Sequence, residues 1–243
     1  VDEAGFKAEM QKQKDRARNA RGKQKAMGLQ HDLLINVKTP SEYVGYTQLA
    51  TTSKLTVLVA GDELVDHVTS GTAEAMFDVT PFYAEMGGQV ADKGDILDEA
   101  GHVVAHVADV QHAPNGQNLH TLTVVAPMET GATYQLKVDT IFHSKVEKNH
   151  TATHLLDKAL REVFGEHTQQ AGSLVEGDYL RFDFTHFGQV DPADLAKAEA
   201  LVNQKIFEEL PVTTVETDIE SAKKMGACLL YTSPSPRDAH ESR

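Results

Sequence analysis

His150-Thr-Ala-Thr-His154 sets two imidazoles four residues apart. On a helix that spacing puts both rings on one face, one turn from each other, where they can grip a single metal ion. Two histidines so placed also arise as half-buried helix residues, so the pair by itself does not establish zinc. A zinc site needs a third and usually a fourth ligand. By residue type the nearby candidates are Glu166, His167, Asp183 and His186, none at a diagnostic spacing. The one cysteine, Cys228, rules out an intrachain disulfide and a cysteine-only zinc site.

Two further stretches carry polar side chains that could serve such a centre. Gln169-Gln170-Ala-Gly-Ser-Leu-Val175 follows the histidine segment, and its amides could reach a substrate held there. The same residues also read as a polar loop entering a strand. Thr80-Pro-Phe-Tyr-Ala-Glu-Met-Gly-Gly-Gln89 ends on two adjacent glycines, which permit positive φ or a close backbone approach. Gly87-Gly88-Gln89 matches the tripeptide with which peptide release factors hydrolyse peptidyl-tRNA, but three residues carry little information. We read it as a structural turn on a barrel. No phosphate-binding glycine loop and no dinucleotide fingerprint occurs, so ATP chemistry has no home in these residues.

The elements that must position these residues differ along the chain. Residues 3–27 lack proline and are rich in Ala, Gln, Lys, Arg and Glu, which predicts a helix. Its apolar stripe, Phe6, Met10 and Ala17, is thin. From about Ile35 to Phe142 short β-rich runs alternate with Gly, Asp, Asn and Pro turns, the pattern of an antiparallel barrel or sandwich. The runs include Leu55 to Val59, Ala75 to Val79, Val103 to Val110, Leu119 to Val125 and Tyr134 to Val138. After Phe142 the period changes from 2 to 3.6. Ser144 and Glu147 are spaced as a capping box, and Gly165 suits a helix C-terminus, predicting a helix over about 146–164. Strands are expected over Gly172 to Val175 and over Leu180 to His186. Asp191-Pro192 then opens a helix that Pro211 should end. A strand over 212–216 and a short helix from Thr217 to Gly226 complete a two-layer α/β domain over 143–227. The fold class is therefore α+β.

Bulk composition narrows the function. With 40% hydrophobic and 24% charged residues the chain is ordinary globular material, and its length allows about two domains. No run approaches the roughly 18 apolar residues of a membrane span, and the charged N-terminus is unlike a secretory signal. The cytoplasm is the expected compartment, with no membrane partner. A net charge of −13 argues against bulk attraction to nucleic acid. The average hides Lys7 to Lys25, where eight basic residues face Glu9 and Asp15 for a net +6. Such runs are commonly solvated helix faces; the alternative is an RNA-facing helix.

Taken in order, Thr80 to Gln89, Asn149-His-Thr-Ala-Thr-His-Leu-Leu156, Gln170-Ala-Gly-Ser-Leu-Val175, Leu180-Arg-Phe-Asp-Phe-Thr-His186 and Leu210-Pro-Val212 resemble the alanyl-tRNA synthetases. The resemblance covers nearly all of residues 1–227. It implies a helical tail of a tRNA-recognition region over 1–34, a β-barrel over 35–142 and, over 143–227, an editing domain of the threonyl/alanyl-tRNA synthetase type. It assigns His150 and His154 as zinc ligands and places Gln170 in the editing pocket. Family members draw their other ligands from a downstream Cys-x-x-x-His motif that this sequence does not contain, so the Zn2+ site is expected to be incomplete here. The implied partner is tRNA(Ala), with Lys12, Arg16, Arg18 and Arg21 as tRNA-facing cations. ATP and Mg2+ belong to an upstream aminoacylation domain. Residues 228–243, from Cys-Leu-Leu-Tyr-Thr-Ser-Pro-Ser-Pro-Arg-Asp238 onward, are similar to a translated sequencing-library adapter and are expected to stand outside the fold. A non-catalytic tRNA-binding module and a free-standing trans-editing hydrolase are the alternatives.

Overall fold

The structure, a computed structural model, describes residues 34, 35, 37, 39–61, 63–211, 217, 218, 221 and 224. The helix expected over 3–27 with Lys12, Arg16, Arg18 and Arg21, the strand over 212–216, most of the helix over 217–226 and the 228–243 tail lie outside the described residues. The chain divides into two compact units. One runs through Ala84 and resumes over Ala91–Asp139; the other joins Glu85–Val90 to the chain from Thr140 onward.

The first unit holds the strands β1 (Glu42–Tyr43), β2 (Ala50–Ala60), β3 (Glu63–Leu64), β4 (His67–Val68), β5 (Gly71–Phe77), β6 (Val79–Thr80), β7 (Gly94–Leu97), β8 (Val103–His112), β9 (Asn118–Val124), β10 (Met128–Glu129) and β11 (Thr133–Val138). Six of them run in the order β2-β5-β9-β8-β7-β11, and β11 pairs back onto β2, closing an antiparallel barrel. Closure leaves these six strands without a free sheet edge. The interior takes alternate residues, as in Tyr134, Leu136 and Val138 of β11 and Leu122 and Val124 of β9.

Two bulges reset that alternation. In β2 the register shifts between Leu55 and Val57, so Leu55 and Leu58 both join the barrel core. Val57 and Val59 are thereby turned to the outer face, where with Met76 they form a second cluster beneath Leu34 and Val37. In β8 a shift between Val107 and Asp109 brings Val110 inward in place of Asp109. The extra residue of a bulge changes the phase of everything after it. Strand β7 was not among the runs expected from the sequence. Gly94-Asp-Ile-Leu97 has too few apolar residues to signal a strand, yet Ile96 is fully buried because β8 and β11 flank it.

The second unit contains α1 (Thr140–Phe164), the hairpin β12 (Gln170–Val175) with β13 (Leu180–Phe184), and α2 (Pro192–Phe207). Ala159, Leu160 and Ala198 make its buried apolar centre, with Leu156, Val163, Phe182, Phe184 and Leu201 partly covered around it. Helix α1 starts at Thr140, six residues before the expected position, so Ser144 and Glu147 lie inside it and do not cap it. The reason is tertiary: Phe142 in the first turn packs against Gly177, where a Cβ would come within 3.1 Å of the ring. Asp191 caps α2 by accepting from the Ala193 amide at 2.8 Å, with Pro192 at the first helical position. The helix ends at Phe207, well short of Pro211, with Glu209 at φ +48° closing the turn.

Candidate metal centre

Helix α1 carries His150 and His154 as neighbours: their rings lie nearly parallel, 12° apart in plane, with centroids 5.2 Å apart. The helix face that bears them is tied to the β12–β13 turn. Asn149 donates through Nδ2 to the carbonyls of Glu176 (2.6 Å) and Gly177 (3.2 Å), and Lys145 pairs with Asp178 at 2.9 Å. Thr153, buried between the two histidines in sequence, returns its hydroxyl to the Asn149 carbonyl at 2.8 Å. These bonds fix the rotation of α1 against the hairpin and therefore the direction in which the imidazoles face.

The glycine turn expected on the barrel belongs instead to this unit. Gly87 and Gly88 adopt φ of +65° and +85°, a region that favours glycine. A Cβ at Gly88 would sit 2.7 Å from the Ser173 carbonyl oxygen and from its Oγ. The absence of a side chain lets the turn lie against β12, where the Val175 amide donates to the Gly88 carbonyl (2.7 Å) and Val90 donates to the Val175 carbonyl (3.1 Å). Gln89 is thus held in strand-like register beside Val175, and its side chain, 8% exposed, meets His150: Oε1 lies 2.5 Å from the ring Nδ1.

Burial pushes the His150 imidazole below its ordinary range, and the adjacent His154 adds to the effect. A neutral imidazole is the form that ligates metal. An amide oxygen can only accept, so this contact is a hydrogen bond in the tautomer that carries its proton on Nδ1. His150 and His154 thus offer two imidazoles on one helix face, and their stacked rings would have to turn for both to reach one zinc ion. Among the described residues no group of three His, Cys, Asp or Glu side chains is arranged to hold a metal. The candidates named from sequence go elsewhere: His167 and His186 stack on each other at 5.7 Å, Phe187 covers His167 at 4.7 Å, and Asp183 pairs with Arg181.

Gln170 opens β12 at the end opposite Val175, roughly 16 Å away at about 3.3 Å per residue. Its side chain makes no hydrogen bond to either histidine, and Oε1 is buried without a partner. A buried amide oxygen without a partner is uncommon in a folded protein and calls for an explanation. Sequence reasoning singled out Gln170 and passed over Gln89. The signal was present in Gly87-Gly88-Gln89, but its partner lies 61 residues further on, a distance no local pattern spans.

Residues 1–142 match the family model described as tRNA synthetases class II (A), and the chain belongs to that family. It is 98% identical over 232 residues to an alanine–tRNA ligase of Levilactobacillus brevis, a match covering 96% of this chain and 26% of that protein. Alanine–tRNA ligases of Lactiplantibacillus plantarum and Pediococcus pentosaceus are 63% identical over 233 residues and 61% over 232, again along 26% of their length. The chain thus spans about a quarter of the length of the curated relatives it matches.

Proposed function

We propose that this chain is the barrel and editing region of an alanine–tRNA ligase whose whole activity joins alanine to tRNA(Ala) at the expense of ATP, and that its second unit hydrolyses tRNA(Ala) wrongly charged with serine or glycine. The observation that carries the reading is the pair His150 and His154, one turn apart on one helix face, in a chain so close in sequence to alanine–tRNA ligases. Such a second activity answers a physical need. A pocket built for alanine cannot exclude the smaller glycine by size, and it rejects serine poorly because serine adds only a hydroxyl.

In this reading His150 and His154 would hold a zinc ion through two nitrogens, the remaining ligands coming from a downstream Cys-x-x-x-His motif that this sequence does not contain. Bound there, zinc would supply either an activated water or a cation that orients the substrate's amine and carbonyl. The chain's own groups do the rest. Gln89 orients His150, and the free Oε1 of Gln170 accepts from a donor on the aminoacyl end, such as the amine or the serine hydroxyl. Water then adds to the ester carbonyl, the bond to the terminal ribose breaks, and free amino acid and uncharged tRNA leave. Lys12, Arg16, Arg18 and Arg21 would steady the tRNA backbone. We place the activity in the cytoplasm; no described helix is long and apolar enough to cross a membrane.

The test is deacylation of Ser-tRNA(Ala) by the full-length Levilactobacillus brevis relative with Gln replaced by Ala at the position of Gln170. A fall of about tenfold or more is expected for loss of one orienting hydrogen bond. Unchanged deacylation removes Gln170 from the reaction. Zinc content decides the role of the histidines: an intact-length protein that retains no zinc after mild chelation is a tRNA-binding module.

A further inference from the structure

Gln89 has no place in the reading that sequence alone supports, yet it makes the most specific contact in the centre. Its backbone is pinned to β12 on both sides, at Gly88 and Val90, and the turn below it is closed by reciprocal bonds between Met86 and Gln89. Its side chain is nearly buried and ends on the Nδ1 atom of His150. A free imidazole in water favours the tautomer with its proton on Nε2, the nitrogen that faces away from the backbone. An oxygen acceptor at Nδ1 reverses that preference, because Nδ1 must then carry the proton. Histidine ligands are commonly held this way by an acceptor on the nitrogen that does not bind metal.

We propose that Gln89 is a positioning residue that locks His150 in its Nδ1-protonated tautomer and so prepares Nε2 to bind the metal before any metal arrives. The Gly87-Gly88 turn exists, on this view, to deliver one amide oxygen. Ala or Ser at position 88 would meet Ser173 and withdraw it. The proposal rests on the zinc reading for its purpose, while the tautomer itself is a property of the metal-free chain.

The experiment is long-range proton–nitrogen NMR of the histidine rings in the metal-free 243-residue chain, at a pH where the imidazoles are neutral, assigned with a His150→Gln variant. His150 is expected as the Nδ1-protonated form and should shift toward the Nε2-protonated form in Gln89→Ala. Gln89→Glu keeps an acceptor oxygen and should restore the parent signal, which a merely space-filling side chain would not require. A His150 already protonated on Nε2 in the parent, or a signal unmoved by Gln89→Ala, overturns the proposal. Competition titration of the full-length Levilactobacillus brevis relative with a chromophoric chelator gives the second readout. Zn2+ affinity should fall roughly 10–100-fold in Gln89→Ala and recover in Gln89→Glu. If the amide pointed its nitrogen at His150, Gln89→Ala would instead strengthen zinc binding, which also overturns the proposal. A parent that shows the expected tautomer but binds no zinc in any length of chain leaves the lock standing and removes the zinc reading alone.

Discussion

The barrel and the second unit solve the same problem, covering polar backbone and apolar side chains, in opposite ways. The barrel closes its six strands on themselves through β11 and β2 and fills the interior with large side chains such as Phe77, Phe82, Ile96 and Leu122, all fully buried. The second unit has a two-stranded hairpin, a small apolar centre around Ala159, Leu160 and Ala198, and large apolar residues left open on α2, among them Ile206 and Phe207. A lone two-stranded hairpin is marginal in water. Here one edge of β12 is occupied at Val175 by the Gly88–Val90 segment, so the loop that orients His150 also contributes backbone bonds to the hairpin. The histidine pair thus lies in the less densely packed unit, which is where regions that must adjust to a ligand are expected.

Core truncation tests this contrast most strongly. Phe77→Ala should cost the barrel about 4 kcal/mol, whereas Leu160→Ala should cost the second unit about 2–3 kcal/mol because its partly open surroundings can collapse. Hydrogen exchange read by mass spectrometry would show it: the second unit should exchange through openings that leave the barrel protected. Equal protection of the two units would abolish the distinction.

Acid should act on the barrel through His120. This ring is fully buried between Phe77 and Phe82, with Nε2 2.8 Å from the Thr80 hydroxyl and Nδ1 3.1 Å from the Ala75 carbonyl. Burial lowers its pKa to about 4, against the partly opposing bonds to the backbone. In the unfolded chain the ring takes up its proton near pH 6.5, so stability is intact above that value. It should decline as pH falls toward 4, by about 3 kcal/mol in all, and His120 adds nothing further below that. Denaturant titrations across pH 7 to 4 would measure the slope, which His120→Gln should flatten.

A smaller effect is expected at Asp157, a buried carboxylate on α1 that accepts from Arg161 Nε at 3.1 and 3.3 Å. Arg161→Ala should destabilise the second unit by about 2 kcal/mol, the scale of a hydrogen bond to a charged group, and leave the barrel unaffected. Smaller still, Gly88→Ala should cost about 1–2 kcal/mol from its positive φ and the Ser173 contact. Its main consequence should be local, seen as a changed His150 signal with the barrel spectrum preserved.

Much of the architecture is written in local pattern. Alternation in Leu119 to Val125 and Tyr134 to Val138 identified β9 and β11 within a residue or two, and Asp191-Pro192 located the start of α2, because strand period and capping chemistry depend only on neighbouring residues. The His150 and His154 spacing likewise needs nothing beyond one helical turn. Features that depend on distant partners were decided by the tertiary structure alone. Gly94–Leu97 is a strand because β8 and β11 bracket it, and α1 begins at Thr140 because Gly177 leaves room for Phe142. The bulges in β2 and β8 choose which valines face inward, since a single extra residue inverts every later side chain. The same holds for Gln89 and His150. Sequence specified an amide after two glycines and an imidazole on a helix; only folding, which pins the turn to β12, brought them within hydrogen-bonding distance and selected the nitrogen left free.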